Sequence, residues 1–236
     1  MNTHQISFIV PAFNEEAVLP ALLESIHSQG LDHYEIIVAD AASTDRTAEI
    51  AQGCGAKVVP GGLPPAGRNN AARAASGDYL FFADADVVFP PGFLTQFLRK
   101  VETTGADAAS CFFVPRSSLF ADAIIQTIFN FYNWCTQFFY PHAQGAFIFS
   151  KRWLHERISG FDETIFLGED HDYVRRAQEH GVYKYFASPR LPVSVRRFEK
   201  DGRLRVFLLY CRCEWHRILC GEIRKSRFTY DYGHSS

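Results

Sequence analysis

The chain has 236 residues, 47% of them hydrophobic and 21% charged, with a formal net charge of −2. That balance excludes a disordered tail, and the length suits one substantial core or one domain with an appendage. No run approaches the ~20 apolar residues of a membrane span; the net charge says little about partners, and no nucleic-acid partner is expected.

In chain order, "ISFIVPA" (Ile6 to Ala12) predicts a short buried strand, and "EEAVLPALLESIHSQ" predicts a helix with Val18, Leu22, Leu23 and Ile26 on one face. "YEIIVAD" is a second strand. "STDRTAEIAQGCG" opens a second helix, with Ser43 or Thr44 as its cap and Gly53 or Gly55 near its end. "AKVVPG" is a third strand, "AGRNNAARAAS" a third helix and "DYLFFAD" a fourth strand. This alternation predicts an α/β fold, a doubly wound and mostly parallel sheet with helices on both faces. Such sheets bind ligands in the crevice at the carboxyl ends of their strands. Asn14 and Glu15 follow the first strand, Asp40 ends the second, and Asp84 and Asp86 end the fourth. Neither a G-x-G-x-x-G after the first strand nor a G-x-x-x-x-G-K-[ST] is present, so phosphates must be held another way, and a metal ion is the natural substitute.

Leu119 to Tyr140 predicts a long helix bounded by Pro141. Asp122, Gln126, Asn130, Asn133 and Gln137 recur every three or four residues and share one narrow stripe; the rest is apolar and aromatic. Two explanations stand: a helix buried on most sides, or a greasy wall for a lipid-linked acceptor or a membrane surface. Leu204 to Cys220 is a second amphipathic stretch, with Leu204, Phe207, Leu208, Cys211, Trp215 and Ile218 on one side. Arg196 to Arg227 holds ten Lys/Arg against four Asp/Glu, an excess of +6. A solvated face, or a surface for phosphate-bearing substrates or anionic lipid, would account for it.

Asp84-Ala85-Asp86 offers two hard oxygen ligands to one divalent ion; magnesium and manganese favour carboxylates together with phosphate oxygens. The second acidic cluster lies in "FLGEDHDYVRRAQEHG", Phe166 to Gly181, where Gly168 precedes a helical pattern ending at Gly181. Acids at a helix start are stabilised by its free amide groups, yet Glu169, Asp170 and Asp172 are more than a cap requires. A carboxylate there could accept a hydroxyl proton as general base. His142, His171 and His216 are further metal-ligand options, each more simply read as an ordinary polar residue. The six cysteines are scattered; Cys211-Arg-Cys213 is too tight for a zinc pair. Reduced thiols fit a cytosolic protein, and "MNTHQISFIVPAFNEE" lacks the pattern of a signal peptide.

"IVPAFNEE", "IIVADAASTDRTAEIA", "AGRNNAARAASGDYLFFADAD" and "SGFDETIFLGEDHDYVRRAQEHG" together resemble an inverting family-2 glycosyltransferase of the GT-A fold, from about Ile6 to Gly181. The resemblance implies that Pro11, Phe13, Asn14 and Glu15 line the nucleoside pocket, and that Asp40 contacts the base or ribose. It implies that Arg68 reaches the nucleotide, that Asp84 faces the ribose or metal with Ala85 on the donor side, and that Asp86 binds Mn2+ or Mg2+. Asp170 corresponds to the catalytic base, with Glu169 and Gly145 on the acceptor side. Arg196 and Arg197, in "SVRRFEKDGRLR", are candidates for gripping the diphosphate from a flexible loop. With the resemblance, residues 1–115 are expected to form the nucleotide-sugar-binding half and 116–195 the acceptor-binding and catalytic half of the same domain; charge and apolar pattern make 196–236 a basic amphipathic extension.

Two departures matter. The family's D-D-G-S-T-D becomes Asp40-Ala41-Ala42-Ser43-Thr44-Asp45, which loses an acid and a glycine and bears on base specificity. The Q-x-x-R-W motif of processive synthases is absent, so transfer of a single sugar is expected. UDP-sugars are the family's most frequent donors and are favoured here; the acceptor needs a free hydroxyl, with a lipid-linked acceptor and an anionic membrane surface as options. The expected location is cytoplasmic, with peripheral attachment to the inner face of the membrane as a variant. A nucleotidyltransferase and a non-catalytic nucleotide-sugar-binding protein are the competing readings.

Overall fold

β1 (Ile6–Ala12), β2 (Tyr34–Asp40), β3 (Lys57–Pro60), β4 (Tyr79–Ala83), β5 (Ala108–Pro115), β6 (Phe147–Lys151) and β7 (Tyr183–Val193) form one seven-stranded sheet in a computed structural model that describes residues 5–224. The order is β3-β2-β1-β4-β6-β5-β7. Only β6 runs against its neighbours, pairing antiparallel with β4 and β5. The parallel strands are near-continuous apolar runs because both faces are covered. On one face α1 (Leu19–His27) and α4 (Phe93–Thr104) pack with Phe8, Phe81 and Phe147. On the other, α3 (Pro64–Ala74), α6 (Arg152–Arg157) and α7 (Glu169–His180) pack with Ile9, Phe82 and Ile148. The expected doubly wound, mostly parallel sheet is what forms.

Several predicted boundaries move, each for a local reason. Helix α1 starts at Leu19 rather than near Glu15, because Pro20 lacks an N–H and fits only the first turn. Helix α3 begins earlier than expected, at Pro64, by the same preference. Helix α2 (Thr47–Gly53) is not capped by Ser43 or Thr44: Ser43 Oγ accepts the Asn14 N–H at 2.9 Å, and the Thr44 N–H donates to Asn14 Oδ1 at 2.8 Å. These two residues tie the loop after β2 to the loop after β1.

The largest correction concerns α5 (Phe120–Thr136), which ends short of Tyr140 and is not buried on most sides. Its polar stripe faces inward: Asp122, Gln126, Asn130, Asn133 and the following Gln137 are buried, while Ile124, Ile128, Phe131 and Trp134 are exposed. The inversion follows from the strands beneath it. β5 and β7 shift register between Cys111 and Phe113, so backbone groups near there need other partners. Asn130 supplies them, accepting from the Phe113 N–H at 3.0 Å and donating to its carbonyl at 2.8 Å. Gln137 Oε1 likewise accepts the Tyr185 N–H at 2.9 Å.

A short helix and a long one complete the described chain. Arg196 and Arg197 open α8 (Arg196–Asp201) instead of lying in a loop. Helix α9 (Arg203–Cys220) buries Val206, Cys213 and Arg217, while the predicted apolar side, with Leu204, Leu208, Trp215 and Ile218, points outward. Lys225 and Arg227, counted in the basic stretch, lie outside the described residues. All six cysteines are free, and no helix among the described residues is long and apolar enough to cross a membrane.

Candidate active site

The carboxyl ends of β1, β2 and β4 open into a cavity of about 1000 Å³. Pairing of Ala12 with Asp40, and of Ile9 with Phe82, brings these strand ends level. The cavity is lined by Pro11, Phe13, Asn14 and Glu15 after β1, and by Asp84, Ala85 and Asp86 after β4. Arg68 from α3, Gly145 before β6, Glu169 and Asp170 from α7, and Arg196 and Arg197 from α8 complete that side. Of the expected donor residues only Asp40 is absent from the lining. Its Oδ2 accepts the Ser43 N–H at 3.1 Å, and its Oδ1 is buried without a hydrogen-bond partner. A buried unpaired carboxylate oxygen costs free energy, and this one does not face the cavity.

The loop beyond Asp40 retains the shape a glycine would take. Ala42, where the family pattern has glycine, has φ 61°, a left-handed conformation costing on the order of 1–3 kcal/mol for an L-residue. The bonds from Asn14 and Asp40 across this loop hold it there. Asn14 itself has φ 53°, and its side chain is engaged with Thr44.

Arg68 bridges the two acidic clusters. Its guanidinium donates to Asp84 Oδ1 at 2.9 Å, to Glu169 Oε1 at 2.8 Å and to the Gly145 carbonyl at 3.3 Å. Only 4% of its side chain is exposed, and the adjacent carboxylates raise its pKa despite burial. Asp84 keeps a face toward the cavity, yet burial among protein atoms, with the neighbouring Asp86, pushes its pKa up against the pull of Arg68. Burial raises Glu169 as well, aided by Asp170, and burial raises Asp170. Asp170 is oriented by the His171 backbone N–H, which donates to its Oδ1 at 2.9 Å. Both acids occupy the first turn of α7, after Gly168 at φ 85°. Asp172, the third acid of that turn, faces elsewhere: it accepts from Arg176 at 2.7 Å and Arg175 at 3.1 Å.

Gly145 is required by close approach. A Cβ there would lie 3.0 Å from Arg68 Nη2 and 3.5 Å from Asp170 Oδ2. At the opposite rim Arg196 Nη2 donates to Asp86 Oδ2 at 3.1 Å and to Glu15 Oε2 at 3.1 Å. Burial raises the Glu15 pKa, and Arg196 moderates that rise.

The donor set suits a hard divalent ion. Asp84 and Asp86 supply carboxylate oxygens at one rim, and among the described residues no group of three or more His, Cys, Asp or Glu forms a closed protein cage. Magnesium and manganese are bound in this way, by one or two carboxylates with the remaining positions left to phosphate oxygens and water. Within the cavity lining five carboxylates (Glu15, Asp84, Asp86, Glu169, Asp170) lie with three guanidinium groups (Arg68, Arg196, Arg197), a formal balance of −2 with all ionised. One divalent cation offsets that charge.

The histidine options resolve differently. His142 uses both ring nitrogens, with Thr136 Oγ1 at 3.2 Å and Glu214 Oε1 at 2.8 Å. His171 lines the cavity, and burial together with nearby Arg217 and His142 keeps its pKa well below the usual histidine range. His216 is not among the lining residues. Of the residues that join α5 to α9 along one wall of the cavity, the sequence singled out His142 but not Tyr132, Glu214 or Arg217, whose pairing across the two helices has no local signal.

Residues 7–154 match the family model described as glycosyl transferase family 2. Among curated proteins, a 4,4'-diaponeurosporenoate glycosyltransferase of Staphylococcus haemolyticus is 45% identical over 94 residues, 36% of this chain and 25% of that protein. Among solved structures, a mannosyltransferase from Pyrobaculum calidifontis in complex with GDP-Man and Mn2+ superposes with TM-score 0.66 at 22% identity, over 80% of this chain and 56% of that one. S. aureus TarS 1–349 in complex with UDP-GlcNAc superposes with TM-score 0.64 at 18% identity, over 80% of this chain and 58% of that one. The chain therefore spans about a quarter of the curated relative and less than two thirds of either solved chain, and the structural likenesses concern the GT-A fold.

Proposed function

The chain belongs to glycosyl transferase family 2, and from that premise we propose that it moves a single sugar from a nucleoside-diphosphate sugar to an acceptor hydroxyl with inversion. The observation that carries the proposal is that Asp84, Asp86, Glu169 and Asp170, from distant parts of the chain, line one cavity. Family membership and the GT-A neighbours favour this reading over a nucleotidyltransferase. UDP-GlcNAc and GDP-Man in two neighbours support a nucleotide-sugar donor, with a UDP-sugar favoured.

In this reading Pro11, Phe13, Asn14 and Glu15 hold the nucleoside, and Asp40 shapes the loop beside it through its bond to the Ser43 N–H. Asp86, with Asp84, would hold Mn2+ or Mg2+, whose charge neutralises the departing diphosphate. Arg196 and Arg197 bind the diphosphate from the rim. Asp170 accepts the proton of the acceptor hydroxyl, whose oxygen bonds to the anomeric carbon on the face opposite the diphosphate. The anomeric carbon–oxygen bond breaks with its electron pair on the diphosphate, through an oxocarbenium-like state. Arg68 keeps Asp84 and Glu169 in register, and Gly145 leaves the space between Arg68 and Asp170 open. A cytoplasmic location peripheral to the membrane belongs to the same proposal.

A thermal-shift screen of nucleoside diphosphates and their sugars, with and without manganese, tests it. One nucleotide should stabilise the protein selectively and more strongly with the metal. Uniform indifference to every nucleotide would contradict the reading.

A further inference from the structure

Helices α5 and α9 lie side by side. Arg203 Nε donates to Asp122 Oδ1 at 2.6 Å near their amino ends; Phe129 packs on Phe207 and Tyr210, with ring centroids 5.9 Å apart in each pair. Further along, Tyr132 donates to Glu214 Oε1 at 3.0 Å. The polar stripe of α5 is fixed inward by these contacts and by Asn130. Its outward stripe is thus forced to be Phe120, Ile124, Ile128, Phe131 and Trp134, continued by Phe138, all of them exposed. Phe131 is 62% exposed and Phe138 66%. Asp122, the single Asp, Glu, Lys, Arg or His of α5, is buried, so the outer face carries no charge at neutral pH. The face of α9 adds Leu204, Leu208, Trp215, Ile218 and Leu219, among them Trp215 at 64% exposure. Scattered apolar residues on a surface are ordinary; two adjoining helices with outward apolar stripes are not.

This face is continuous with the cavity. Ile128, Trp215 and Ile218 are exposed on the outer surface and also line the cavity that holds Asp170. Phe129, Phe207 and Tyr210 continue the apolar lining inward. Whatever covers the two helices must therefore leave the cavity mouth able to receive an acceptor. A second copy of the chain seated on these side chains would close it. A bilayer gives the Phe and Leu side chains an apolar medium and puts Trp134 and Trp215 at headgroup depth, where indoles partition. Arg205 and Arg212, exposed on α9, match anionic headgroups.

We propose that the α5–α9 face docks on an anionic bilayer, and that the acceptor is a long-chain lipid whose hydroxyl-bearing head enters between the two helices toward Asp170. The acceptor half rests on the sugar-transfer reading; the docking half does not. The apolar chain would stay against Ile128, Phe129, Phe207 and Ile218 while the polar head reaches the acids beyond.

Flotation with phosphatidylcholine vesicles, with and without added phosphatidylglycerol, tests the docking. The protein should float with the anionic vesicles. Phe131→Asp with Trp134→Asp should reduce the bound fraction about tenfold or more, and Arg205→Glu with Arg212→Glu should do so at low salt. None of these side chains lines the cavity, so nucleoside-diphosphate binding, read by thermal shift on the same variants, should be unchanged and shows that they fold. Failure to float, flotation insensitive to both double variants, or a dimer in sedimentation that Phe131→Asp with Trp134→Asp dissociates would overturn the docking. For the acceptor, sugar label from the donor should pass into the organic phase when vesicles of a total membrane lipid extract are supplied. Label that stays aqueous while flotation and nucleotide binding hold would overturn the lipid acceptor. Absence of nucleotide binding in the unaltered protein would instead defeat the sugar-transfer reading and leave the docking result standing.

Discussion

Arg196 reaches from the start of α8 to the acid that follows β4, its Nη2 lying 3.1 Å from Asp86 Oδ2. A side-chain cation from the carboxy-terminal part of the chain thus occupies an oxygen that the proposed metal also needs. Half of the Arg196 side chain is exposed, so the ion pair is a modest competitor, worth up to about 1 kcal/mol. Arg196→Gln should bind Mn2+ alone more tightly, by up to about fivefold, while binding the nucleoside diphosphate more weakly. Titration calorimetry reads both, and a variant that binds the metal less well than the unaltered protein would disprove the competition.

Gly145→Ala tests the space between the acceptor base and the buried arginine. The added methyl would meet Arg68 Nη2 at 3.0 Å, and that guanidinium is held by Asp84 and Glu169 and cannot yield cheaply. A displacement of the acids by a fraction of an ångström lowers turnover by about tenfold to a hundredfold. Circular dichroism should be unaltered. Full activity in the alanine variant would show that the spacing is not critical.

Asn130→Ala removes the side chain that satisfies both backbone groups of Phe113. Leaving a buried donor and acceptor unpaired costs about 1–3 kcal/mol each, so urea unfolding should report a loss of about 2–6 kcal/mol. Phe131→Ser, on the exposed face of the same helix, should change stability by about 0.5 kcal/mol or less. Equal losses at the two positions would argue against the inverted helix.

Glu214 gives the pH dependence. Burial opposes its charge, but the His142 hydrogen bond and the nearby Arg217 hold its pKa at about 2. A carboxylate depressed on folding stabilises the protein fully above its unfolded pKa, 4.5, and loses that contribution as pH falls toward about 2. Screened by solvent at this partly exposed site, the contribution is about 1–2 kcal/mol. Between those pH values Glu214→Gln should lose less stability than the unaltered protein, as read by urea unfolding. Parallel stability curves would remove Glu214 from the acid response.

Much of the donor side was legible in the sequence because its residues follow strands. Asn14, Asp84 and Asp86 directly extend strands whose apolar runs are unmistakable, and parallel pairing levels those ends. Helix starts were less legible: Pro20 and Pro64 set α1 and α3, whereas Ser43 and Thr44, good caps in isolation, serve Asn14 instead. The orientation of α5 could not be read from its own periodicity. A narrow polar stripe opposite an apolar one has two solutions, and the choice depends on backbone groups that the sheet leaves for Asn130 and Gln137, at Phe113 beside a shift in strand register and at Tyr185 on the edge strand β7. The pairing of Arg68 with Glu169, 101 positions apart, likewise has no local signal.

The account stands most directly on a division of labour between Asp86 and Asp170, and calorimetry of nucleoside-diphosphate binding with manganese, run beside a transfer assay, measures it. Asp86→Asn should lose the metal-dependent part of binding. Asp170→Asn should bind as before and transfer sugar about a hundredfold to ten-thousandfold more slowly. Transfer at the original rate by the Asp170→Asn protein, or loss of binding in both variants alike, would contradict it.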